Sequence, residues 1–538
     1  MQRRHFIATT LASIALRSQA AGADPVEAPR DARRLRRARD GNLTSLDPHR
    51  PLSAADMEIA ADVFCGLTAF AASGDLIPGC AQSWQIDADG THYRFRLRPN
   101  LRWSDGTALT AEDFVFSFRR LLDPQTAALL ADRYTAIRGA ANRLSGRGRP
   151  EDLGVSAPDR ATVEFLLDRP ETDLLQLLAI AYVVPAAAIA RHGRDWAKPP
   201  QILVNGAFEP RSWAQNGSLV LAPNAYFHDA RAVGVQQLEW VMGLDDATRL
   251  RMFRAAQLDI VKISESSQLS LARREFARQL HSEPYYGAGW LGLQTQRALL
   301  SDLRLRRALA LAVDSVALVE KVRALGERAT DSLVPDAVRD YPRPGRPEYA
   351  AWSSAQRLSA AKQLMREAGY SATRPVKLVA IYSANPLAQR SFLALAAMWQ
   401  RIGVQLETTG MESRAYSIAL RAGAFDVMDY QAFSAVQSAT SFIGRFHSGS
   451  FLNYSRYSNP QVDHLIDEAE RQPGAAARAL VYSAAEQILL RDLPAIPLYC
   501  GTMHRLVSDR VSGWTANPGI ALPSRFLYWA AKPESRQL

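Results

Sequence analysis

At 538 residues the chain has room for two to four domains at roughly 100–200 residues each. Hydrophobic residues make up 47% and charged residues 22%, a soluble globular balance that excludes a mostly disordered chain and a polytopic membrane protein. The net charge of +10 rests on 64 basic residues, only six of them Lys; the Arg are scattered, as at Arg94, Arg96 and Arg98, which is Arg-biased composition and no nucleic-acid surface.

Met1 to Leu16 combines a basic start with a short apolar stretch, and Ala20, Ala21, Gly22 and Ala23 follow. This layout predicts an export signal over 1–23, too short to span a bilayer. Arg3-Arg4-x-Phe6-Ile7 resembles the core of a twin-arginine signal, and Arg17 fits that route, although paired arginines also begin ordinary signals. No Cys near the cleavage region offers a lipid anchor. The mature protein is expected to be soluble and periplasmic.

Residues 93–98 alternate strictly, with Tyr93, Phe95 and Leu97 on one face, which predicts a half-buried strand. Leu101 and Trp103 continue the pattern until Asp105-Gly106 turns the chain. Thr110 and Asp113 can form a capping box for a helix whose stripe is Phe114, Phe118, Leu121 and Leu122, stopped by Asp123-Pro124. Leu174 to Ala190 is apolar, but Gln176, Tyr182 and Pro185 make it a buried helix running into a strand or loop, not a membrane span. Further on, 306–322 predicts a helix broken at Asp314-Ser315. Strands are predicted over 377–382, 404–408, 425–428 and 495–499, and helices over 392–401 and 478–490. Strands and helices intermingle from end to end, which predicts α/β architecture with mixed sheets.

Cys65, Cys80 and Cys500 show no CxxC spacing and no nearby His pair, so neither zinc nor a thioredoxin-type motif is expected. A Cys65–Cys80 bridge stays open, since sequence does not give its geometry. His447-Ser-Gly-Ser450 is the nearest approach to a hydrolase elbow and lacks its flanking glycines. Phosphate-loop, dinucleotide and metalloprotease motifs are missing, and the nine His are isolated. Catalysis, metal and cofactor therefore have no positive support. An exported α/β protein of this kind suits ligand binding between lobes that close by hinge motion.

Several motifs then resemble the large periplasmic solute-binding proteins that feed ABC importers, in the oligopeptide-binding and murein-tripeptide-binding branch. They are Ser45 to Pro48 (SLDP), Leu76 to Gly79 (LIPG), Ser83-Trp84, Leu101 to Thr107 (LRWSDGT) and Thr110 to Ser117 (TAEDFVFS). Asp152 to Val155 (DLGV), Asn205 to Phe208 (NGAF), Asp302 to Leu309 (DLRLRRAL) with Asp314, and Ala485 to Ile488 (AEQI) continue the series. The resemblance implies a two-lobed, hinge-closing fold with an extra domain. Lobe I would comprise 24–64, 185–285 and 503–538, the extra domain 65–184, and the second lobe 286–502. It also implies a monomer that holds an extended peptide between lobes and delivers it to membrane permease subunits, without nucleic acid.

The anchors of relatives are altered here. An Arg that can take a peptide carboxylate corresponds to Asp429, the Asp that pairs with the α-ammonium to Ala435, and a Trp to Ala432. A carboxylate-reaching Lys corresponds to Arg323, a His serving longer ligands to Ala388, and a bridged Cys pair to Gly287 and Phe433. The resemblance places Tyr285, Trp290, Gln431 and Phe433 on the cleft wall, and Ser383 joins the candidate ligand-binding set with Asp429 and Arg323. These changes predict that a free N-terminus is not held at position 435, that ligand positive charge lies near Asp429, and that Arg323 holds an anionic group. A solvated or salt-bridged Asp429 is the alternative. A ligand-presenting sensor or chaperone-like binder would use the same cleft, as would an importer of a non-peptide cationic solute, whereas an exported hydrolase lacks its nucleophile.

Overall fold

Two long strands organise the molecule: Leu280–Leu293, of 14 residues, and Ala495–Val507, of 13. In the computed structural model, which describes residues 34–530 apart from 40, 51–53, 129, 215–216, 372 and 520–521, they lie side by side in the middle of one mixed sheet. Across that sheet stand, in order, Val404–Met411, Val376–Ser383, Val427–Phe433, Leu280–Leu293 and Ala495–Val507. Ile260–Ile263, Arg34–Ala38, Gln237–Val241, Ser218–Pro223 and Phe208–Trp213 continue it. Arg34–Ala38 runs parallel to Gln237–Val241, and Val376–Ser383 parallel to both Val404–Met411 and Val427–Phe433, while the long strands pair antiparallel. The export-signal segment 1–23 lies outside the described residues.

A separate four-stranded sheet is built from Ala81–Ile86, His92–Leu97, Thr162–Leu166 and Val155–Asp159. Its strand His92–Leu97 follows the alternation of the sequence: Tyr93, Phe95 and Leu97 are buried and Arg94 and Arg96 exposed. Thr110 N–H donates to Asp113 Oδ2 at 2.8 Å at the start of the helix Ala111–Leu121, whose buried stripe includes Phe114, Phe118 and Leu121. Phe95 and Phe165 belong to the same hydrophobic cluster as Leu35, Leu219 and Trp240, so the small sheet shares one continuous core with the first half of the large one.

The second half is buried on both faces. Leu378, Val427 and Trp399 pack on one side, while Trp290, Met428 and Tyr482 pack on the other, as period-two alternation requires of a covered strand. The strand expected over 425–428 is Val427–Phe433; held between two neighbours, it continues past the apolar residues into Asp429, Gln431 and Phe433. The strand expected over 495–499 likewise runs on to Val507. The helix expected over 392–401 starts earlier, at Pro386, where Asn385 Oδ1 accepts from Ala388 N–H at 2.8 Å. Helix Leu303–Ala312 breaks before Asp314, whose Oδ1 accepts from Ala317 N–H at 3.0 Å, and the chain winds on through Leu318–Arg323.

The apolar stretch from Leu174 folds as Leu174–Leu177 and Ala186–His192 with buried residues between. No helix among the described residues is long and apolar enough to cross a membrane. All three cysteines are buried free thiols; Cys80 Sγ lies 3.5 Å from the Cys65 carbonyl oxygen and no bridge joins the two.

Candidate binding cleft

The long strands pair twice, first over Leu280–Pro284 against 502–506 and again over Ala288–Gly292 against 495–500, with an irregularity between Pro284 and Ala288. Tyr285 sits in that break. Its ring lies against bare backbone, because a Cβ on Gly287 or on Gly501 would come within 2.2 Å of it. Gly289 gives the same clearance to Tyr499. Two tyrosine rings thus lie over glycines where the two halves of the sheet meet.

A cavity of about 340 Å³ opens there, with walls from both halves. Arg37, Arg39 and Lys262 come from one half, and Arg323, Glu327 and Gln431 from the other, with Tyr285 at the join. Five cationic side chains (Arg37, Arg39, Lys262, Arg323 and Arg505) face it against two carboxylates, Glu58 and Glu327. Glu58 receives Arg37 Nη2 at 3.0 Å and Arg505 Nη2 at 2.8 Å, while Arg39 Nη1 lies 2.6 Å from Asp56 Oδ1. His504 joins Ser282 Oγ through Nδ1 at 2.8 Å and the Leu325 carbonyl oxygen through Nε2 at 2.5 Å. Burial holds this imidazole below its ordinary pKa.

Four of the seven predicted site residues line this cavity: Tyr285, Arg323, Gln431 and Phe433. Arg323 is bound within the protein, since Nε donates to Glu327 Oε2 at 2.8 Å and Nη2 to Oε1 at 2.6 Å. Its guanidinium carbon stands 4.0 Å from the centre of the Tyr499 ring. Asp429 is set behind the wall. Gln431 Nε2 reaches its carboxylate at 3.3 and 3.5 Å and donates to Tyr499 Oη at 2.7 Å. Burial raises the Asp429 pKa, and Arg323 pulls against that rise.

The expected placement of Trp290 on the cleft wall is corrected. Trp290 is fully buried and packs against Tyr430, Phe446 and Phe442. Gly289 pairs with Gln431 and Gly287 with Phe433, so Trp290, opposite Tyr430, turns to the other side of the strand. Ser383 is also absent from the wall. It ends its strand beside Met411, and Leu387 is the residue that this region contributes. Sequence reasoning missed Arg37, Arg39, Glu58, Lys262, Glu327 and Arg505. The signal that could have found some of them is a charge inside a buried strand, as Lys262 is within Ile260–Ile263. No group of His, Cys, Asp and Glu among the described residues could hold a metal ion.

A two-lobed receptor with its cleft at the strands joining the lobes is the class of protein that this fold and site define. The chain belongs to the bacterial extracellular solute-binding proteins, family 5, whose model matches residues 75–453. It is 31% identical over 488 residues to the periplasmic oligopeptide-binding protein OppA of Escherichia coli K12, covering 89% of each chain. It is 32% identical over 492 residues to the probable deoxycholate-binding periplasmic protein YgiS of the same organism, covering 90% of this chain and 91% of that one. The crystal structure of Haemophilus influenzae OppA in complex with RPPGFSPFR superposes with a TM-score of 0.82 at 26% identity, over 92% of this chain and 99% of that one.

Proposed function

We propose that the protein is an exported periplasmic receptor of an ABC importer. It captures oligopeptides or peptide-like solutes between its lobes and passes them, as a monomer, to membrane permease subunits, acting by binding alone. One observation carries this reading. The cavity at the long strands shares Phe433 with a second cavity of about 350 Å³, so the cleft offers two adjoining compartments to one extended ligand, each within the size range of small-molecule sites. In this reading the chain hinges at Tyr285 and near Thr502, with 24–64, 185–285 and 503–538 in one lobe, 65–184 against it, and 286–502 in the other. Asp429 serves Arg323 and Gln431 instead of a ligand cation.

Five arginine and lysine side chains line the first cavity and one relative carries a bile-acid name, which favours a second reading, an anionic amphiphile. Native mass spectrometry of protein purified from its own periplasm, followed by release and sequencing of what is bound, separates the two. Short peptides are expected; a single carboxylated non-peptide solute would replace the first reading with the second.

A further inference from the structure

The second cavity lies between residues 130–180 on one side and 433–470 on the other. Most charges on its wall are already matched. Arg169 lies 3.0 Å from Glu470 and Arg478 2.6 Å from Glu171, and Arg133 lies 3.7 Å from Asp173. Arg445 is held by three oxygens, donating to Tyr430 Oη at 2.8 Å, to the Phe433 carbonyl at 3.2 Å and to the Ser441 carbonyl. Asp132 is different. It sits on the turn Ala131–Tyr134, it is half-buried, and among the described residues its carboxylate forms no ion pair and accepts from no side chain. Burial raises its pKa, while Arg133 and Arg445, from beyond pairing distance, and the backbone N–H groups of Asp132 and Arg133, which donate to it, pull it down. A carboxylate withdrawn from water with backbone donors but no countercharge is costly. The same small cavity leaves two large apolar side chains in the open, Phe433 at 43% and Phe451 at 63% exposure, and uncovered aromatic surface inside a cavity is surface that a ligand covers.

We infer that Asp132 holds the cationic end of the ligand, an α-ammonium whose neighbouring apolar substituent lies against Phe433 and Phe451. The inference rests on the peptide reading above and specifies which end of the peptide occupies the second cavity. An ammonium there receives the one wall carboxylate that lacks an ion pair among the described residues, and the rest of the chain passes Phe433 toward the first cavity. Ala435 lines the cavity too and contributes no charge.

The test uses the full mature chain and two probes, Phe-Ala-Ala and N-acetyl-Phe-Ala-Ala, titrated calorimetrically. The native protein is expected to prefer the free amine about ten- to a hundredfold. Asp132→Asn should bring that ratio close to one, and adding Ala435→Asp should restore the preference. Should the amide variant not fold, Asp132→Ala gives the same readout. A variant that keeps the native preference, or a native protein that does not distinguish the probes, overturns the role of Asp132 and leaves the peptide reading standing. A native protein that binds neither probe and carries a non-peptide solute from the periplasm overturns the peptide reading, and this inference with it.

Discussion

Arg323 and Glu327 form a two-point ion pair, Nε to Oε2 at 2.8 Å and Nη2 to Oε1 at 2.6 Å, with both side chains less than a tenth exposed. Asp429 stands close enough for the same guanidinium to lower its pKa and for Glu327 to raise it. One cation thus serves two buried carboxyls. Arg323→Met is expected to cost about 3–5 kcal/mol of stability at pH 7, as for other broken buried pairs. It should cost less at pH 5, since burial raises the pKa of Asp429 and losing the arginine that holds it down lets this carboxyl take up a proton. Glu327→Gln should cost less than Arg323→Met, because Asp429 still faces the arginine. Urea denaturation at the two pH values checks the ranking, and a neutral Arg323→Met would contradict it.

The Tyr285 ring lies where Gly501 has no side chain, and a Cβ there would stand 2.2 Å from the ring. A ring at the end of a rotatable side chain moves more readily than backbone, so Gly501→Ala is expected to swing Tyr285 away and leave both strands in place. Stability should fall by only about 1 kcal/mol, at the low end of overpacking, while ligand affinity falls on the order of tenfold. Calorimetric titration paired with a thermal melt separates the two effects. A large loss of stability with unchanged affinity would mean that the strands moved instead.

The periodic parts of this fold were legible. Tyr93, Phe95 and Leu97 alternate because one face of their strand is wet, and Thr110 with Asp113 marks a helix start by local chemistry alone. The cleft was legible only where a resemblance supplied a map, which brought Tyr285, Arg323, Gln431 and Phe433 to one wall. It failed at Trp290, because both faces of strand Leu280–Leu293 are covered in its second half and a Trp satisfies either. It also failed for Arg37, Glu58 and Arg505. These residues are 21 and 447 positions apart as hydrogen-bonded pairs, and local spacing carries no sign that one carboxylate lies between two arginines.

Trp290 itself offers a direct check on that correction. It is enclosed by Tyr430, Phe442 and Phe446, and its Nε1 finds no acceptor among the described residues. Trp290→Ala is expected to destabilise the protein by about 3–5 kcal/mol, the usual loss for a large buried aromatic. Trp290→Phe should cost much less, because removing an unbonded indole N–H offsets part of the lost packing. Ligand affinity of Trp290→Phe should match that of the native protein; a tenfold loss would return the side chain to the cleft.

The contacts between residues 169–176 and 437–478 close the two halves over the cleft, and one of them titrates. Gln176 and Gln437 exchange hydrogen bonds at 2.9 and 3.2 Å, Arg478 meets Glu171 at 2.6 Å, and Ser438 Oγ donates to Asp173. Burial, with Glu171 adding to it, pushes the Asp173 pKa up to about 6, against the pull of Arg133, Ser438 and Arg478. Opening the halves returns this carboxyl to water and toward its ordinary value of 3.8. The closed state therefore binds the proton more tightly, and closing takes up a proton between about pH 4 and pH 6. The sign follows: through this group the closed state gains as pH falls through 6 and is disfavoured above it. Ligand affinity is expected to rise from pH 7 to pH 5, by at most about tenfold per pH unit within the window. Asp173→Asn, neutral throughout, should bind more tightly than the native protein at pH 7 and lose this part of the pH dependence. Titrations of both proteins at pH 5, 6 and 7 decide it, because an Asp173→Asn variant with the native slope would mean that the carboxyl does not change its surroundings when the halves close.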